Sequence, residues 1–216
     1  MVRKVLVTLS GTHGTGKSTN AGQCYYLLNR KGLRFSYLVH QDILDPFGFI
    51  VRRAARVLGL SENELQKRRP VRVLWSLYLL LVYFPILGGG IFLRRLLGNS
   101  TVCDRYIYDT MVGFRDYGVN IPVEGLLLRL VPRPDISFVL EAPEERILSN
   151  RPEHSAEFIR NEKRLYALVA EHFHLYRVST AGSRASVWWT IVGKVESVMG
   201  GKPQASQTVM AEAVVR

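Results

Sequence analysis

Short apolar, β-branched runs alternate along the chain with stretches whose apolar positions recur every three to four residues, which predicts strands and helices in turn. Residues 2–10 form the first such run and predict a buried strand. Residues 18–29 follow with Ala21, Cys24, Tyr25 and Leu28 at helical spacing, and Lys31-Gly32 stops that helix. Residues 34–40 predict strand two. A helix is expected to start near Pro46, with Arg52, Arg53 and Arg56 on its polar side. Asp45 reads as the cap of that helix. Asp42, at the carboxyl end of strand two, stays open between a cap and a ligand contact. Ser61-Glu62-Asn63-Glu64 reads as a helix start, and Lys67-Arg68-Arg69-Pro70 as a basic break. Residues 100–104 predict strand three, which ends in Asp104. Helices are expected over 107–117 and 123–130, the second closed by Pro132. Residues 135–141 are so continuously apolar that strand four should be covered on both faces. Pro143-Glu144-Glu145 opens another helix, residues 155–173 an amphipathic one, residues 175–178 give strand five, and residues 183–199 close the fold. The alternation defines an α/β chain.

One stretch does not fit that alternation. Residues 73–93 contain no charge, and basic clusters flank them: Lys67 to Arg72 before, Arg94-Arg95 after. The length alone permits a membrane span. Pro85 and Gly88-Gly89-Gly90 are expected to cut the stretch into a helix of about three turns and a shorter piece. The reading adopted is core burial with a homodimer contact, with membrane-surface contact through 73–93 as its alternative.

Composition narrows the class. At 216 residues and 47% hydrophobic, the chain can bury one core. One domain is expected over 1–199, with a disordered tail over 200–216. A net charge of +11 raises the question of nucleic acid, but no helix-turn-helix or aromatic-interleaved basic stripe accompanies it, so nucleic-acid binding is not expected. Cys24 and Cys103 have no metal-ligand spacing and read as small core residues. With no signal-peptide pattern either, the cytoplasm is the expected compartment.

Between strand one and helix one lies Gly11-Thr12-His13-Gly14-Thr15-Gly16-Lys17-Ser18, a full match to Gly, four residues, Gly-Lys-Ser. In a strand–loop–helix setting this is a P-loop. Its backbone N–H groups converge on phosphates, Lys17 reaches the β- and γ-phosphates of ATP, and Ser18 takes a position on Mg²⁺; Thr19 follows in the same turn. Asp104, at the end of an apolar strand, is placed to hold Mg²⁺ through water or to accept a proton, or else caps a helix with Arg105 as its local partner. Asn150 to His154 is a polar segment that reads as part of a lid over about 146–156; His154 reads as a surface residue.

Three pieces now stand in order: the loop 11–18, Asp104-Arg105-Tyr106, and Pro132-Arg133-Pro134-Asp135 leading to Glu141-Ala142-Pro143-Glu144-Glu145. Together, over residues 3–199, they resemble the thymidylate kinase family in its divergent, thymidylate kinase-like branch. The resemblance implies a five-stranded parallel sheet flanked by helices, a small lid, and transfer of the ATP γ-phosphoryl group to dTMP. It implies that Lys17 and Ser18 hold ATP and Mg²⁺, Asp104 lies near the metal, and Arg105 grips the acceptor phosphate. Arg151 and Arg146 would be lid arginines, since the loop itself has none. Tyr106 is either an acceptor contact or a core aromatic. The chain departs from the family pattern at His13, where an acidic residue is usual, and at His40-Gln41-Asp42-Ile43-Leu44, which replaces Arg-Glu-Pro-Gly-Gly. The alternatives are a kinase of a nucleoside, sugar or lipid-linked acceptor with Asp42 as base, and a non-catalytic nucleotide-dependent binding protein.

Overall fold

The computed structural model describes residues 3–116, 118–119 and 123–200, without the side chains of Asp42, Leu44, Asp45 and Asn63; the expectation for the tail lies almost wholly outside these residues. Strand β1 (Leu6–Gly11) alternates as its sequence requires. Val5, Val7 and Leu9 face one core, and Leu6 faces the other. The remaining strands are β2 (Phe35–Val39), β3 (Ser100–Asp104), β4 (Ile136–Glu141) and β5 (Tyr176–Ser179). All are parallel, in the order β2-β3-β1-β4-β5. Leu9 lies opposite Asp104 and Phe138, and Val39 opposite Asp104, so the carboxyl ends of four strands share one edge.

Helices cover both faces, as a parallel sheet requires, and the central strands β1, β3 and β4 are buried almost throughout while the edge strands β2 and β5 are more open. On one side α1 (Lys17–Arg30) and α10 (Arg184–Val198) close over Cys24, Leu28, Val187 and Ile191. The other side is built from α2 (Gln41–Val57), α3 (Glu62–Lys67), α4 (Arg69–Tyr78), a π-helical turn (Leu79–Tyr83), α5 (Phe84–Leu96), α6 (Ile107–Asp116) and α7 (Glu124–Leu130). Beyond β4, α8 (Glu144–Asn150) and α9 (Ala156–His172) enclose a small cluster of Ala142, Ile147 and Ile159. Both cysteines are buried.

Two elements differ from expectation. α2 begins at Gln41, directly after β2, and Pro46 lies inside it. Asp42 and Asp45 therefore fall within the helix, and His40 holds the cap position. The early start has a tertiary cause: the buried His40 ring is held by Tyr83 and Thr110, each at 2.9 Å, which fixes the chain direction before Pro46 is reached. The uncharged stretch is not cut in two either, since α4, the π-turn and α5 follow one another without a break from Arg69 to Leu96. Pro85 comes just after the π-turn, in which the Phe84 amide reaches back to Leu79 O. This widened turn stands where the proline ring would otherwise clash with a regular α ladder.

Candidate functional site

The loop from Gly11 to Ser18 leaves the central strand and enters α1. Gly11 has φ +142, and a Cβ there would meet Leu140 O at 2.4 Å, so no side chain fits beside β4. Lys17 is buried and curls back over the loop, donating to Gly11 O at 2.5 Å and Thr12 O at 2.8 Å. Thr15 Oγ1 also donates to Thr12 O. Ser18 and Thr19 are exposed in the first turn of α1, where no acidic residue stands. Burial lowers the Lys17 pKa to about 8, Arg105 lowers it further, and Asp109, Glu162 and Asp104 pull it back up. A buried ammonium group and a helix start form a site suited to a polyanion.

Glu162 holds this loop from α9. Its carboxylate accepts the His13 backbone N–H at 3.0 Å and pairs with His13 Nδ1 at 2.7 Å. The His13 ring also lies 5.2 Å from His154, which stacks on Phe158. His154 itself is partly exposed. Arg151 lies against the loop as well, its Cγ 3.2 Å from where a Gly14 Cβ would be. Arg146 turns elsewhere, donating to Thr180 O.

At the end of β3, Asp104 is buried. One of its oxygens accepts from Tyr37 at 3.1 Å, while Oδ1 is buried with no hydrogen-bond partner. Arg105 does not pair with it. It adopts φ +69, unusual for a residue with a side chain, and its amide donates to Leu9 O. Its guanidinium stands 4.0 Å from Asp109. Asp109 accepts from Ser10 at 2.6 Å, Tyr166 at 2.7 Å and the Tyr106 amide at 3.1 Å, which satisfies a carboxylate that would otherwise be costly to bury. Tyr106 is fully buried, donates to Pro132 O and lies in the core beneath the site.

A cleft of about 290 Å³ opens beside these groups, its walls including His13, Arg52, Gln66, Trp75, Arg105 and Phe114. Two wall atoms, Gln66 Oε1 and Trp75 Nε1, are buried without a partner. One is an acceptor and the other a donor. His40 also reaches the cleft, and burial lowers its pKa to about 4, which keeps the ring neutral. The side chain of Asp42 lies outside the described residues. Among the described residues no group of three His, Cys, Asp or Glu side chains forms a metal cage.

The fold thus brings Lys17, Asp104 and Arg105 into one charged neighbourhood and sets Arg151 on the loop. It leaves Tyr106 and Arg146 outside the cleft. Sequence reading missed Asp109, Glu162, Gln66 and Trp75. Of these, only Asp109 left a sequence signal, an acid in the third position of the helix after Tyr106. No protein-family model matches the chain, and neither does any curated protein.

Proposed function

We propose that the chain is a P-loop phosphotransferase of the thymidylate kinase-like type, moving the γ-phosphoryl group of ATP to a nucleoside monophosphate, with dTMP as acceptor. The observation that supports this most is Asp104, whose buried Oδ1 has no partner although Lys17 and Arg105 lie in the same charged group. A buried, unpaired carboxylate oxygen is costly unless a cation or a proton donor completes it. Mg²⁺ suits that position, because it takes oxygen ligands and keeps waters while bridging phosphates. Asp104 and the exposed hydroxyl of Ser18 would hold it, and when bound it neutralises charge on the transferring group.

The remaining work is positioning and electrostatics. Loop amides and Lys17 bind the triphosphate. Arg105, its backbone fixed in a strained conformation, grips the acceptor phosphate with a planar fork that lysine lacks. Arg151 supplies from the 146–156 lid the positive charge that the loop lacks. Gln66 and Trp75 form part of the cleft wall that the acceptor would meet beyond Arg105.

The test is ATP consumption by purified protein with Mg²⁺ across nucleoside monophosphates, nucleosides and sugars, with Lys17→Ala alongside. Turnover is expected to be highest with dTMP and to fall at least ~100-fold in the variant, with circular dichroism unchanged. Undiminished turnover in Lys17→Ala removes the site assignment. Silence on every nucleotide, with ATP still bound, moves the acceptor to another class.

A further inference from the structure

The helical path from Arg69 to Leu96 is 28 residues long and apolar enough to cross a membrane, yet only 28% of its most apolar window is buried. One face is committed to the core: Trp75, Leu79, Tyr83, Leu87 and Ile91 are buried. The other carries Leu74, Leu77, Leu81, Ile86, Phe92 and Leu96, all about half exposed or more, with Leu81 at 71%. At 1.5 Å per residue this apolar side, from Leu74 to Leu96, runs for roughly 33 Å, more than scattered surface leucines account for.

Charge decides what covers it. Between Glu64 and Asp104 the chain has no acidic residue; Lys67, Arg68, Arg69 and Arg72 stand at one end of the apolar side and Arg94 and Arg95 at the other, where Arg95 pairs with Asp135 at 2.9 Å. A second copy laid on this face, parallel or antiparallel, would set basic end against basic end, with no acid from the stretch to separate them. An anionic lipid surface supplies both an apolar layer for the leucines and negative headgroups for the ends. A crossing orientation is excluded by packing, because it would strip the buried row from Leu6, Cys103 and Val139.

We propose that the exposed face of the 69–96 helix seats the protein on an anionic lipid surface, with the helix lying in the membrane plane. Because Trp75 also lines the cleft, the cleft opens beside the seated helix.

The experiment is flotation of the full chain with phosphatidylcholine vesicles, with and without phosphatidylglycerol, at low and high salt, together with sedimentation of the protein alone. Flotation is expected only with phosphatidylglycerol, and to be weakened by salt. Affinity is expected to fall about fivefold for each of Lys67→Gln, Arg68→Gln and Arg69→Gln. Leu81→Glu, at an exposed position, is expected to abolish flotation while leaving the melting temperature unchanged. The glutamine series lies outside the apolar side and tests the same surface should Leu81→Glu fold poorly. Absence of flotation with both vesicles, or flotation indifferent to the glutamine series and to Leu81→Glu, overturns the proposal. So does a dimer in solution that Leu81→Glu dissociates, since the face would then belong to a second copy.

Discussion

Lys17 lies in a site that disfavours its own charge, and this would give the proposed nucleotide binding a pH signature. Its pKa in the free protein is lowered to about 8 by burial, so the ammonium is kept at pH 7 and lost as pH rises through 8. A bound polyphosphate favours the charged form and raises that pKa again. Binding of ADP should therefore take up almost no proton at pH 7 and close to one at pH 9, measured by calorimetry in two buffers of different ionisation enthalpy. Glu162 makes a separate contribution through the two hydrogen bonds that tie His13 to α9. Glu162→Ala should cost about 2 kcal/mol, seen as a fall in melting temperature of roughly 4–8 °C. The loop that holds Lys17 was legible because a run of eight residues encodes its local backbone geometry. Glu162 was not, because nothing in a helix 149 residues further on marks which of its acids turns inward.

Among the elements, the long helix shows most clearly what local pattern can and cannot foretell. Its buried row advances in steps of four residues, from Trp75 to Ile91. A regular α-helix turns about 100° per residue, so four such steps would drift by about 160° around the axis. The π-turn absorbs roughly one residue of rotation and holds the row on one side. Pro85 and the three glycines read as breakers because propensity counts each residue alone, whereas Leu87 and Ile91 are anchored in the core. The glycines still weaken the helix. A Cβ at Gly89 would meet nothing within 4 Å, so Gly89→Ala should stabilise by about 1 kcal/mol and raise the melting temperature by roughly 2–4 °C, by calorimetry. Short-range signals fared better. Ser61 and Glu64 form the capping box that their spacing announces, and Arg68 separates α3 from α4.

For the whole molecule, the alternation of apolar runs announced strands and helices in turn, with β3 spanning the residues expected of it, while the all-parallel sheet was expected from the resemblance. The cleft was less legible, since its walls come from α2, α3, α4 and α6, whose mutual placement depends on long-range packing. Strand order also bears on how the protein comes into being. β1 is made first, yet it pairs only with residues 101–104 and 136–140. At ribosomal speeds of about 5–20 residues per second, the first strand waits on the order of ten seconds for its neighbours. During that interval an apolar segment and its glycine loop hang unpaired from the nascent chain, open to chaperones. The central strand is thus completed late, and truncated translation products ending before β4 would carry the Gly-Lys-Ser signature without a framework to hold it.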